Sequence, residues 1–297
     1  MPINPFTVPG RWYRGNLHVH TTKSDGRMSP EEMVDWHIAH GYDFLSLTEH
    51  RFRLESAPYS REGLLLIPGI ELDGRDPTSG IYHLVGLGVE NSIRHNPGWS
   101  FQAAIDAIRA AGGLAVLAHP YWSGQTSTDL LTVEGAWGIE VFNGVCQKER
   151  GKGLSTVHWD ELLAAGKRLW GLAVDDAHGH PPDGDLGWGW VMVKAEELSQ
   201  EAILKALEAG AFYSTSGPEI HDLRLEDGVV TVRCSPVEHI YFVCDWALGD
   251  AVHAWDGSPL TEAGFQLRNE GETYLRVECV DYRGRCAWSQ PFYLRGD

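Results

Sequence analysis

The chain has 297 residues, enough for one large domain and a small one, and contains no apolar run near the ~20 residues that a membrane-spanning helix needs. Its 24 Lys and Arg against 41 Asp and Glu give a formal charge of −17, which repels the phosphate backbone of long nucleic acids and excludes indiscriminate binding to them. Met1 to Arg14 lacks the zones of a signal peptide, and Cys146, Cys234, Cys244, Cys279 and Cys286 show no CxxC spacing, so a cytoplasmic protein with reduced, mostly buried thiols is expected.

From Gly15 to about Tyr213 short apolar runs alternate with amphipathic stretches, the pattern of repeated βα units. Asn16 to Thr21 reads as the first strand. Ser29 then caps a helix with Pro30 at its first position and Glu32 three residues after the cap, and Gly41 ends it. Strands follow at Asp43 to Leu47, Leu64 to Ile67, Ile81 to Leu87, Leu114 to Leu117, Gly138 to Phe142, Leu169 to Val174 and Trp190 to Lys194. The helices Phe101 to Ala111, Thr156 to Ala165 and Gln200 to Ala209 are each closed by a glycine. After Gly217-Pro218 only short alternating segments remain: Ile220 to Leu225, Val229 to Cys234, His239 to Cys244, Thr273 to Val280 and Cys286 to Leu294. The expected division is therefore a barrel over residues 1–217 and a small antiparallel β-sandwich over 218–297.

The chemistry lies in the first part. His18 and His20, two apart on an extended segment, point to one face, as two ligands of one metal require. Alone, such a pair is as readily two packed or surface histidines. Asp25 follows in the next loop, His50 ends the second strand, Glu71 follows the third, His119 follows the fifth, and Asp176 and His178 follow Leu169 to Val174. Those residues sit at or beyond strand C-termini, where βα barrels place their sites. His83 is the exception, because it lies early in its apolar run.

The run Asn16-Leu17-His18-Val19-His20-Thr21-Thr22-Lys23-Ser24-Asp25-Gly26 resembles the first motif of the PHP (polymerase and histidinol phosphatase) superfamily. Thr48-Glu49-His50 resembles the second, Gly69-Ile70-Glu71 with His83 the third, and Ala118-His119-Pro120 and Asp176-Ala177-His178 the remaining two. The resemblance spans residues 16 to 178 and implies a distorted (β/α)7 TIM-like barrel with two to three Mn, Zn or Fe ions. By position it implies a first metal on His18, His20, Glu71 and Asp176, a second on Glu71, His83 and His119, and a third on Asp25, His50 and His178. Glu71, Asp176 and His178 would then act in catalysis through the metals. The second motif usually reads Thr-Asp-His; Glu49 here leaves the ligand His50 intact but alters what surrounds it. The length, Trp12-Tyr13-Arg14-Gly15 and the β-rich tail look most like the CehA/McbA-type metallohydrolase branch.

A hydroxide held between metals attacking a phosphomonoester or short phosphodiester is the expected reaction, with a carboxylic or carbamic ester as the rival substrate and a catalytically silent metal-binding module as the rival from another class. No Gly-x-Ser-x-Gly elbow or phosphate loop with its lysine supports other chemistry. Lys23 and Arg51 flank ligands and could neutralise a phosphate, although solvated charge is the default. Asn143 reads either as a residue of the mouth or as a turn with Gly144. Tyr82, Tyr121 and Trp122 lie beside ligands and read as packing or as stacking platforms. His158, His180 and Asp175 are candidate proton donors, whereas His37, His40, His221, His239 and His253 are not expected to take part. The expected partner is a small anionic or ester substrate, without long nucleic acid or membrane.

Overall fold

The computed structural model describes residues 4–180 and 184–294, so Met1 to Ile3 of the stretch Met1 to Arg14 lie outside the described residues. The first helix, Pro30–Ala39, starts as its sequence dictates: Ser29 Oγ accepts from the Glu32 amide, and the Glu32 carboxylate accepts from the Ser29 amide. Helices Phe101–Ala110, Thr156–Ala164 and Gln200–Glu208 also fall where periodicity placed them. Short helices at Pro120–Ser123, Ser127–Leu131 and Gly144–Arg150 carry too few turns to show a period and were not anticipated.

Strands β1 (Arg11–Asn16), β2 (Phe44–Leu47), β3 (Leu65–Asp76), β4 (Gly80–Leu87), β5 (Leu114–Leu117), β6 (Gly138–Asn143) and β7 (Trp170–Val174) lie side by side in chain order. β1 ends where the expected first strand began. The chain pairs with β2 and with β8 (Trp190–Ala195) only up to Asn16, and His18 and His20 occupy the extended segment beyond. That segment is held by a bridge between Val19 and Ala177 and by hydrogen bonds from Asp176 N to His18 O and from His20 N to Ala177 O. The ends of the first and seventh strands therefore meet, and the meeting point is the site.

The sheet is mixed α/β rather than the uniformly parallel ring of a TIM barrel. β1, β2 and β3 pair in parallel, as do β5, β6 and β7, but β4 is antiparallel to both β3 and β5. The cause is local. Only Pro77, Thr78 and Ser79 separate β3 from β4, too few for a crossover helix. Asp76 closes this turn by accepting from the Thr78 and Ser79 amides. Because β4 runs backwards, its first half reaches the site end, which removes the anomaly of His83: it pairs with Asp73 beyond Glu71.

β8 runs antiparallel on β1 and is followed by β9 (Phe212–Thr215), which pairs with a strand of the tail. The tail comprises β10 (Ile220–Glu226), β11 (Val229–Val237), β12 (His239–Cys244), β13 (Asp250–His253), β14 (Leu260–Gln266), β15 (Tyr274–Val280), β16 (Cys286–Ser289) and β17 (Phe292–Tyr293). β10, β11 and β14 form one layer. The others continue the large sheet through the β16–β9 pairing. The two layers share a core of Ile220, Leu223, Val230, Val232, Phe242 and Val277, with the Phe242 and Phe265 rings stacked 5.4 Å apart. The first part and the tail also share apolar packing: Trp288, 2% exposed, stacks 5.7 Å from Phe142, and Gln290 bonds both backbone polar groups of Gly171. The five cysteines are free thiols and all are buried. Among the described residues no helix is long and apolar enough to cross a membrane.

His37, on the inner face of the first helix, is fully buried against Trp36 and Tyr42, and its Nε2 has no hydrogen-bond partner. Burial lowers its pKa from 6.5 to about 4. The unfolded chain therefore binds a proton that the folded chain refuses, and stability present above pH 6.5 is lost as pH falls towards 4, by up to about 3 kcal/mol. Melting His37→Leu and the parent between pH 7 and pH 4.5 should show a shallower pH slope for the variant; equal slopes would place the acid sensitivity elsewhere.

Candidate metal centre

Glu71 is the hub. It projects from β3, is 1% exposed, and its two oxygens face different histidines. Oε1 lies 2.8 Å from His83 Nδ1 and 3.4 Å from His119 Nε2. Oε2 lies 3.1 Å from His50 Nδ1, 3.2 Å from His20 Nε2 and 3.5 Å from His18 Nε2. Asp176 Oδ1 stands 3.2 Å from both His18 Nε2 and His20 Nε2. At the open edge, Asp25 Oδ2 is 3.4 Å from both His50 Nε2 and His178 Nε2, and Asp25 Oδ1 is 3.7 Å from His20 Nδ1. All nine residues picked out in the sequence thus come together. Eight of them form three overlapping groups: His18, His20 and Asp176; His50, Glu71 and His83; and His20, Asp25, His50 and His178; the ninth, His119, joins through Glu71 Oε1.

These donors fit divalent cations better than they fit one another. Glu71 Oε2, His20 Nδ1 and His50 Nδ1 are buried without a hydrogen-bond partner, although such atoms ordinarily find one. His18 Nε2 and His20 Nε2 face each other at 3.1 Å. Imidazole and carboxylate donors crowded in this way suit Zn, Mn or Fe. Burial by itself would lower the His50 pKa, but the neighbouring Asp25, Asp73 and Glu71 carboxylates raise it to about 10. Burial opposes a rise at His178 too, and Asp25 and Asp176 overcome it to reach about 9. The Glu71 carboxyl, despite its burial, is held well below the usual carboxylate range by His18 and His83. Without metal His50 and His178 carry protons at neutral pH, so a metal would have to displace them and would bind more weakly in acid.

Backbone geometry at the site is unusual for non-glycine residues: His119 and Asp176 have φ of 28° and 56°, and Arg51, next to His50, has 68°. Gly26 is required behind Asp25, since a Cβ there would lie 2.6 Å from the His20 carbonyl oxygen.

Glu140 and Asp185 escaped the sequence reading, and Glu49 was noted there without its partners. Glu140, 1% exposed on β6, accepts from His18 Nδ1 at 2.6 Å, the His119 amide at 2.9 Å and Asn143 Nδ2 at 2.9 Å, fixing two candidate ligands at once. A lone carboxylate in the apolar run Gly138 to Phe142 was the available signal, because an unpaired charge is too costly to bury. Glu49 accepts from Thr21 Oγ1 and Ser24 Oγ and so holds the turn that carries Asp25. Asp185 accepts from the His178 and His180 amides at 2.8 and 3.0 Å.

The remaining candidates scatter. Asn143 points inward, giving Nδ2 to Glu140 and Asp176, while its Oδ1 caps the helix Gly144–Arg150. Trp122, 40% exposed, stands edge-on to His83 and His119 with ring centroids 5.6 and 5.0 Å away. Tyr121 is 42% exposed, 5.4 Å from Lys152 Nζ, and Tyr82 is a core residue bonded to the Trp99 carbonyl. Arg51 is spent on a two-pronged pair with Asp73 at 2.8 and 2.6 Å. Lys23 is exposed, 5.9 Å from the Tyr59 ring. His158 bonds the Gln125 carbonyl and faces Tyr121, whereas His180 stacks beside His178 at 6.0 Å. Asp175 is wholly buried and receives donors from Asn16, Gly187, Trp188 and Gly189, so it anchors a loop rather than facing substrate.

No family model and no curated protein matches the chain. Among solved structures, it is similar to a two-domain protein from Bacteroides vulgatus containing a predicted PHP-like metal-dependent phosphoesterase, with 18% identity, 95% of each chain covered and a TM-score of 0.55. Two weaker similarities are to an amidohydrolase from Chromobacterium violaceum with bound sulfate and no metal (19% identity, 67% of this chain and 96% of that one, TM-score 0.47) and to a Bifidobacterium adolescentis protein assigned as a metal-dependent phosphoesterase (18%, 56% and 89%, 0.46). The first of these similarities runs through the tail as well as the site-bearing part. The chain thus shares the fold of the first of these proteins, and that fold gathers His, Asp and Glu side chains into a cluster suited to metal.

Proposed function

We propose that the protein is a metal-dependent hydrolase of the PHP type, with the sheet read as that superfamily's distorted seven-stranded barrel, and that it cleaves a phosphomonoester or short phosphodiester. The convergence of nine histidine, aspartate and glutamate side chains, Glu71 at their centre, carries this reading. His18, His20, Glu71 and Asp176 would hold one cation, Glu71, His83 and His119 a second, and Asp25, His50 and His178 a third. Bound cations supply charge to neutralise the substrate oxygens and acidify water for attack.

The protein's own groups set the stage. Glu140 keeps His18 Nε2 turned towards the cluster, Asn143 restrains Asp176, and the Glu49 carboxylate fixes the Asp25 turn. Trp122 covers the His83 and His119 side from water. His180, 32% exposed and 3.6 Å from Asp185, is better placed than His158 to give a proton to a leaving group. Lys23 and Tyr121 are left at the rim to meet substrate, while Asp73 draws Arg51 away.

That diversion of Arg51, with Trp122 and Tyr121 bare at the rim, also favours the rival reading, an aryl carboxylic or carbamic ester that needs no cationic clamp. Chelated protein reloaded with Mn, Zn or Fe should hydrolyse p-nitrophenyl phosphate or bis-p-nitrophenyl phosphate faster than p-nitrophenyl acetate or an aryl carbamate. A reversal beyond ~10-fold, about 1.4 kcal/mol, would move the assignment to the rival. No turnover with any of them under any metal would leave a binding module.

A further inference from the structure

A second cavity, of about 570 Å³, opens where the tail meets the site-bearing part, which is within the size range of small-molecule sites. Leu154, Trp188, Trp190 and Trp288 line it together with Arg283 and Arg285. Two of its features are not needed by the fold. Leu154 and Trp188 are 47% and 40% exposed, leaving apolar surface bare. The Trp188 backbone is nevertheless fixed, since its amide donates to Asp175 at 2.6 Å.

The charge is the second feature. Among the described residues the Arg283 guanidinium makes no ion pair; its contact is the Tyr282 ring at 5.4 Å. Arg285 is paired with Asp281, and Glu278, which also lines the cavity, is taken by the buried Arg276. Two arginines lining one cavity with Trp188 are unusual in a chain of net charge −17.

We infer that this cavity binds a small planar aromatic anion, its ring against Trp188 and Leu154 and its anionic group on Arg283. The site is coupled to the metal centre through one short segment. Gly187, Trp188 and Gly189 grip Asp175, the neighbour of Asp176, and Asp185 holds the His178 amide. A ligand that fixes Trp188 therefore favours the arrangement that presents His178, and metal in turn favours the ligand, by the reciprocity of linked binding. The coupling rests on His178 being a metal ligand; the binding does not.

The probe is naphthalene-2-sulfonate, which has no ester to cleave. Titration calorimetry on Mn-loaded full chain should show one site per chain, weakened at least 10-fold by Trp188→Ala and by Arg283→Ala but unchanged by Trp255→Ala, an exposed tryptophan elsewhere in the tail. Chelated protein should bind the same probe several-fold more weakly. If only that difference is missing, the coupling fails and the site stands. Absence of binding, equal binding by both cavity variants, or displacement of the probe by inorganic phosphate in a Mn-dependent way would overturn the site itself. Arg283 is exposed, so its variant keeps the test valid should Trp188→Ala fail to fold.

Discussion

Glu71→Gln is expected to cost the protein more than one metal ion, whereas His178→Ala should cost about one. The carboxylate of Glu71 turns one oxygen to His83 and His119 and the other to His18, His20 and His50, so two groups of ligands lean on a single charge. Glutamine keeps the shape but loses the charge and replaces one acceptor with an NH2 donor, which cannot ligate. His178→Ala removes one neutral donor from a place where Asp25 and His50 remain. Elemental analysis after Mn loading and removal of free metal compares the two directly. Activity of Glu71→Gln should fall at least ~1,000-fold, about 4 kcal/mol of transition-state stabilisation. Equal metal loss in the two variants would require the bridging role to be withdrawn and the ligand sets redrawn.

The other large effect lies far from the metals. Arg276, on β15 and 1% exposed, binds Asp160 of the helix Thr156–Ala164 through Nε at 2.7 Å and a terminal nitrogen at 2.6 Å, and Glu278 at 2.5 Å, with its guanidinium 4.8 Å from the Trp159 ring. Arg276→Ala leaves two carboxylates facing a cavity and should destabilise by roughly 3–5 kcal/mol, a large part of the 5–15 kcal/mol that holds a typical domain together. Arg233→Ala, which breaks a solvent-exposed pair with Asp222, is the control and should cost under about 1 kcal/mol. Deleting residues 219–297 should be worse still, because it strips β16 from β9, Gln290 from Gly171 and Trp288 from Phe142. Denaturant melts followed by circular dichroism test all three. A truncated chain that stays monomeric with a cooperative transition would show that the first 218 residues stand alone.

What was legible in the sequence was what short-range physics writes there. The Ser29 cap with Glu32, the glycines ending the long helices and most strand positions depend on residues within one turn or one strand, and they appear as expected. The ligand spacing was legible for a similar reason: residues two apart in an extended segment share a face, so His18 and His20 had to converge on whatever lay opposite. Asn143 and Arg51 show the limit of that reasoning. Each flanks the site in the chain, yet a partner elsewhere decides its use: Glu140 and Asp176 draw Asn143 inward, and Asp73 draws Arg51 aside.

The amino-acid sequence by itself determined the local elements and the inventory of candidate metal-binding side chains. Tertiary structure alone decided that β4 runs backwards and brings His83 to the mouth, that Glu140 locks His18 and the His119 amide, and that the large sheet continues through β9 and β16 into the tail. The physical reason is that a strand exposes its donors and acceptors on both edges without specifying a partner, and a buried charge shows only that some partner must exist. Which partner it meets is chosen by the packing of residues as far apart as Glu140 and His18, or Ser214 and Trp288, once the whole chain has closed around them.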